Sequence, residues 1–227
     1  KYKDLSARIA REMARGGDKN DLSETLKYLL IERSRLIGNA EGKIPALKSL
    51  LSARRDSKFN LIYCGDVISD GERSVDAVLR MVGSDLEMRA RKFTSSESNL
   101  ERRDILSKFG TGEIQTLVAI RCLDEGVDVP RTETAYILAS SLNPRQFIQR
   151  RGRVLRRAPG KEFAYIHDFI VVPPLGSSLD DAAFNSERSL MRRELSRVDE
   201  FASSSENAGE ALGALRSIKI RLNLLDS

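Results

Sequence analysis

The feature that most constrains this chain is an alternation, between residues 60 and 170, of short apolar runs with stretches of helical period. Asn60-Leu61-Ile62-Tyr63-Cys64 is closed by Gly65-Asp66 and reads as a buried strand. Residues 116–120, 134–139 and 163–170 read the same way, and 87–93 alternates as a further strand. Between them, 71–82, 97–109 and 144–157 carry helical spacing. Leu100, Ile105, Leu106 and Phe109 are expected to face inward, and Pro144 suits a first turn. Strands alternating with helices of this length imply βαβ units and an α/β fold, with a mainly parallel sheet covered on both faces. Ligands of such sheets sit at the carboxyl ends of the strands. The loops after Cys64, Phe93, Ile120 and Ala139 are therefore where chemistry is expected.

Helices flank this core. Leu5, Ile9 and Met13 repeat every four residues, and a second run carries Leu22, Leu26, Leu29, Leu30, Ile31 and Leu36 before Gly38-Asn39. A third helix has Ile44, Leu47, Leu50 and Leu51 on one face. After Pro173-Pro174, two helical stretches joined at Ser203-Ser204-Ser205 read as a hairpin, with Leu190, Met191, Leu195, Val198 and Phe201 in a stripe. The expected division is a helical connector over 1–40, the α/β domain over 41–172 and a helical tail over 173–227. With 227 residues, 41% of them hydrophobic, the chain can build a real core. No apolar run reaches the roughly 18–20 residues that span a bilayer, so no membrane partner is expected. Two cysteines, Cys64 and Cys122, make neither a disulfide framework nor a four-ligand zinc site, and a reducing, cytoplasmic setting is expected. The lone His167, in an apolar strand, reads as structural rather than as a metal ligand.

Net charge is only +5, but residues 144–161 hold seven basic side chains and no acidic one. Arg145, Gln149, Arg153 and Arg156 lie at spacings of three and four, so one helix face presents them all. Phe147, Ile148, Val154 and Leu155 supply the buried side. A solvated or DNA-binding basic helix is one reading. The other is phosphate binding, because clustered arginines repel without an anion and Arg binds phosphate bidentately. The second segment runs from Thr116 through Ile120 into Leu123-Asp124-Glu125-Gly126-Val127-Asp128-Val129-Pro130. It is either a surface loop with solvated acids or a ligand loop in which Gly126 permits close approach.

Together these segments resemble motifs V and VI of superfamily 2 helicases and translocases, and the chain resembles the C-terminal RecA-like domain of such enzymes. Gln149-Arg150-Arg151-Gly152-Arg153-Val154-Leu155-Arg156 matches the family's Q-R-x-G-R-x-G-R, except that Leu155 replaces the second glycine. Residues 123–130 match the end of motif V. Leu61-Ile62-Tyr63-Cys64 suits motif IV, and Arg102, Phe109 and Gly112 suit the helix before motif V. Motif V often carries Thr where this chain has Ile120, so Arg121 or a backbone N–H would replace that contact. The wording without Thr is closer to restriction-type translocases and DNA-repair helicases than to DEAD-box RNA enzymes.

The resemblance implies ATP bound between two RecA-like domains, with Arg153 and Arg156 as arginine fingers and Gln149 orienting water or bonding phosphate. Gly126 and Asp128 would contact the ribose or position an arginine. Gly65, Thr94, Ser95 and Arg121 would meet a nucleic-acid backbone, DNA by preference. For Thr94 and Ser95 helix capping is an equal reading; Arg33 and Arg35 are expected on a solvated face, with DNA contact as the alternative. The chain has no G-x-x-x-x-G-K-[ST] and no D-E-x-[DH] after a strand, so the main cradle for ATP and Mg²⁺ is expected on a missing N-terminal RecA-like domain. Lys1 as first residue fits a piece of a longer chain, inactive alone. The expected function is the second motor domain of an ATP-dependent DNA helicase or translocase. The alternatives are a non-catalytic nucleic-acid-binding module and an RNA helicase domain.

Overall fold

The structure is a computed structural model. It describes residues 1–15, 23–38, 40–66, 68–69, 71–120, 129, 131–139, 152, 154–172 and 181–225. The chain divides into two compact units, one of residues 38–169 and one of residues 1–37 with 170–227.

The first of these is the α/β unit. Its sheet has five strands, β1 (Asn60–Cys64), β4 (Ala90–Phe93), β5 (Thr116–Ile120), β6 (Thr134–Ile137) and β7 (Tyr165–Asp168), in the order β4-β5-β1-β6-β7. Every pairing is parallel, and Asn60 is in register with both Thr116 and Thr134. All residues of β1, β5 and β6 are buried, which is why these three read as unbroken apolar runs. Ile62, Val118 and Tyr136 share a cluster with Leu47 and Leu51 of α3 (Lys43–Ser52) and Val75 and Val78 of α4 (Ser74–Arg80). Truncating such a side chain to Ala costs about 2–5 kcal/mol. On β7, the His167 ring stacks on Tyr136 with centroids 5.0 Å apart.

Several expectations change in detail. The helix expected over 71–82 begins later. Gly71 takes φ of 81°, and the chain first pairs β2 (Ile68–Ser69) with β3 (Glu72–Arg73) before entering α4. Beyond α4 the helix widens into a single π-type turn, Met81–Asp85, which brings Met81 and Val82 into the core. Leu100 is 78% exposed, because α5 starts at Asn99 and its first turn faces water; Phe109 is the residue of α5 (Asn99–Thr111) that is buried. Leu50 is 40% exposed, while Leu47 and Leu51 face the core. The last strand is shorter than the 163–170 expected, and Phe163 is exposed.

The second unit is helical, with α1 (Tyr2–Arg15), α2 (Glu24–Gly38), α6 (Asp181–Ala202) and α7 (Ala208–Arg221). Leu5 and Ile9 of α1 pack with Leu26 and Leu29 of α2. Met191 and Leu195 of α6 pack with Leu215 of α7 and with Leu222 and Leu224 beyond it. Glu187 of α6 is 1% exposed and accepts the hydroxyls of Tyr2 at 2.6 Å and Ser6 at 2.5 Å. Arg33, expected on a solvated face, is buried and donates to Ser186 Oγ at 3.0 Å. None of the described helices is long and apolar enough to cross a membrane.

Candidate functional site

The parallel sheet fixes where the candidate residues fall. Gly65 follows the carboxyl end of β1, and Thr94 and Ser95 follow that of β4. Arg121 follows β5 in the chain, but Arg121, Gly126, Asp128, Gln149 and Arg153 lie outside the described residues. With β5 between β1 and β4, the Gly65 and Thr94 ends are about 10 Å apart, two strand spacings. The structure brings these two positions to one edge of the sheet without bringing them into contact.

Gly65 lines a cavity of about 240 Å³ with Lys43, Glu72, Ser74, Ala77 and Leu138. Its walls come from the carboxyl ends of β1 and β6 and the first turns of α3 and α4. Lys43 Nζ donates to the Leu138 carbonyl at 2.6 Å, tying α3 to the end of β6. Charges at the rim pair locally, Asp66 with Arg73 and Glu72 with Arg80, each at 2.8 Å. The hydrogen bond it donates to Asp66 holds the Arg73 guanidinium above its ordinary range. No sequence signal marks Lys43, because a lysine in a first helical turn ordinarily points to solvent.

The loop after β4 is built from two successive hydroxyl–carboxylate turns. Thr94 donates to Glu97 from both its backbone N–H, at 2.5 Å, and its hydroxyl, at 2.9 Å. Four residues on, Ser98 caps α5 in a reciprocal box with Glu101. The hydrogen bonds from the Ser98 hydroxyl and backbone hold Glu101 below the ordinary carboxylate range. The cap is thus Ser98, and neither Thr94 nor Ser95 serves that role. Arg102 Nη2 donates to the Thr94 carbonyl at 3.0 Å, locking the loop onto α5. Thr94 is buried and Ser95 is exposed.

In the arginine-rich segment, Gly152 and Val154 are helical, but the helix expected over 144–157 stops short of its expected end, since residues 155–157 are not helical; residues 144–151 and 153 lie outside the described residues. Val154 is 1% exposed and anchors the segment, whereas Leu155, Arg156 and Arg157 are exposed. Among the described residues, no group of three or more His, Cys, Asp or Glu side chains is arranged to hold a metal ion. Cys64 is buried, and burial pushes its thiol up to about 12.

Comparison with known proteins agrees with this geometry. Residues 42–158, just over half of the chain, match the family described as helicase conserved C-terminal domain. A "DNA 3'-5' translocase XPB2" of Sulfurisphaera tokodaii is 31% identical over 52% of this chain and 24% of its own length. A "Putative DNA 3'-5' helicase Rad25" of Haloarcula marismortui is 30% identical over 63% of this chain and 21% of its own length. The chain therefore spans between a fifth and a quarter of these relatives. The yeast DEAD-box splicing factor Prp28 superposes with a TM-score of 0.53 at 15% identity, over 79% of this chain and 34% of that one, which speaks to the fold alone. With five parallel strands in a RecA-like arrangement and this match, the chain belongs to the helicase conserved C-terminal domain family, as the C-terminal RecA-like domain of a superfamily 2 helicase.

Proposed function

We propose that the chain is the second motor domain of an ATP-dependent DNA helicase or translocase. The reading rests on topology. The segments resembling motifs V and VI leave the sheet after β5 and β6, the two strands that flank β1, so both start from one edge of the unit. The names of the two archaeal relatives point to DNA.

ATP, when bound, supplies the phosphoryl group whose transfer to water drives the cycle. The chain's own part is electrostatic. Arg153 and Arg156 carry positive charge toward the terminal phosphate, and Gln149 bonds a phosphate oxygen or orients the attacking water. Gly126 and Asp128 lie against the ribose or set the direction of an arginine. Mg²⁺ and most phosphate contacts belong to a first RecA-like domain. Along the carboxyl edge, Gly65, Thr94, Ser95 and Arg121 meet the sugar–phosphate backbone, which suits tracking without reading bases. Of the two hydroxyls, the exposed Ser95 is better disposed, since Thr94 already donates to Glu97.

The test is ATP hydrolysis by the natural polypeptide that carries this chain, with DNA and with RNA side by side. R153A should lower the DNA-stimulated rate by about three powers of ten or more while leaving DNA affinity within about twofold. Weakened DNA binding with a shallower salt dependence would instead identify a binding module. Stimulation by RNA alone would identify an RNA helicase.

A further inference from the structure

The arginine-bearing segment ends in an arrangement that its sequence does not announce. Helix carbonyls in a last turn have no N–H partner within the helix. Here the carbonyls of Val154, at the helix end, and of Arg156, two residues beyond it, both accept from the Nζ of Lys161, the latter at 2.9 Å. The chain returns to them through Ala158-Pro159-Gly160-Lys161. In that turn Lys161 N–H donates to the Ala158 carbonyl at 3.1 Å and Gly160 takes φ of 78°. Proline second and a left-handed glycine third are what a type II turn requires, so the hairpin back to the helix end is encoded locally.

From this geometry we infer that Lys161 is a positioning residue, whose ammonium clasps the carbonyl end of the arginine segment and sets the direction in which Arg156 leaves it. Two carbonyls two residues apart, held by one cation, restrict the backbone rotation on either side of Leu155. Val154, buried, fixes one end of that stretch; the clasp fixes the other. Lysine is suited to this because its three donors radiate from one point and a cation complements a helix C-terminus. Burial draws the Lys161 pKa down, and the nearby Glu133 carboxylate opposes that and helps keep the ammonium charged. Glu133 is itself held, its backbone N–H donating to the Phe59 carbonyl at 2.9 Å beside β1. The clasp thus closes within residues 154–161. Its catalytic consequence rests on the reading of Arg156 proposed above; the clasp itself does not.

The experiment uses the natural polypeptide with K161M, K161R, R156A and K161M/R156A, and two measurements. The first is amide hydrogen exchange over residues 152–161. K161M, which keeps the alkyl stem, should speed exchange there about tenfold with no change in the central strands, and K161R should restore protection. Unchanged exchange in K161M overturns the clasp. If K161M lowers protection throughout, the loss over residues 152–161 is read against that in the central strands, and a loss no greater there than in the strands overturns the clasp equally. The second is DNA-stimulated ATP hydrolysis. K161M should lower kcat about tenfold with KM for ATP within about twofold, K161R should recover most of it, and K161M/R156A should be no slower than R156A. A further loss on the R156A background overturns positioning through Arg156. Absence of hydrolysis in the wild type sinks the motor reading and with it the catalytic role, while exchange still decides the clasp.

Discussion

Glu187 offers the sharpest test of the helical unit. It sits on α6 with 1% exposure, and both its oxygens are taken by hydroxyls of α1, Tyr2 on one and Ser6 on the other. Glu187→Ala removes both acceptors. Hydrogen bonds to a charged group are each worth about 1.5–3 kcal/mol. Ser6 is also 1% exposed and has no water to replace its partner, so its full share is lost. Tyr2 is only half-buried and rehydrates, so its share is smaller. Burial, and then the bond to Glu187, push the Tyr2 phenol above the ordinary tyrosine range. The loss should therefore total about 3 kcal/mol, a large part of the ~5–15 kcal/mol that holds a domain together. At a urea dependence of about 1–2 kcal/mol per molar, the unfolding midpoint of this unit falls by roughly 2 M. Segment-resolved hydrogen exchange across a urea series reads it, because peptides from α1 and α6 should lose protection at the same urea concentration. Y2F should cost about a third as much. A midpoint for E187A within 0.3 M of wild type, on the same ~2 M scale, would refute the claim that the carboxylate joins α1 to α6.

Other consequences are smaller. Ser98→Ala removes the α5 cap and its exchange with Glu101, and should cost about 1 kcal/mol, read as a fall in the melting temperature of the α/β unit. Burial, and then the charge of Arg54, lower the His167 pKa below its usual value near 6.5. Its neutral form is thus favoured in the folded state, the stabilisation is present above about pH 6.5, and it is lost as pH falls through the folded value. H167Q should flatten the decline of the urea midpoint between about pH 6.5 and 5, and an unchanged slope would rule His167 out as its source.

The parts of the fold legible in the sequence are those where both faces of an element are buried. Leu61, Ile62 and Tyr63 in β1 and Leu117, Val118 and Ala119 in β5 leave no alternative pattern to confuse. Elements with one wet face were harder. Leu100 falls in a helical run yet lies in the first turn of α5, where the helix has not reached the sheet. The β2–β3 pair escaped notice because two residues per strand carry no periodicity, and only Gly71 marked the turn. The ties of Glu187 were invisible for a different reason. Tyr2 and Ser6 are 185 and 181 residues away in sequence, and nothing local says that a carboxylate in an amphipathic helix will meet hydroxyls from the other end. Gly65, Thr94 and Ser95 were legible as positions, since a parallel sheet dictates where its loops emerge, but the Thr94–Glu97 bond was not.

The distribution of charge in the α/β unit bears on the phosphate reading. Away from the arginine segment Lys43, Arg89, Arg102 and Arg131 donate to backbone carbonyls, while five other cations find carboxylates close by: Lys48 with Asp85, Arg73 with Asp66, Arg80 with Glu72, Lys92 with Asp76 and Lys108 with Asp104. Such exposed pairs are worth little individually, but they leave the local field near neutral. Residues 144–161 contain no acid, and there Lys161 gives its protons to backbone carbonyls. A carbonyl stabilises an ammonium without cancelling its charge. The segment can therefore be held in a defined conformation while its positive potential is conserved, whereas a carboxylate clasp would hold it equally well and spend the field that a phosphate must meet. Replacing a carbonyl acceptor by a carboxylate is thus the change that should separate the two properties. An acid introduced beside Lys161 would preserve order in the segment and weaken its attraction for anions.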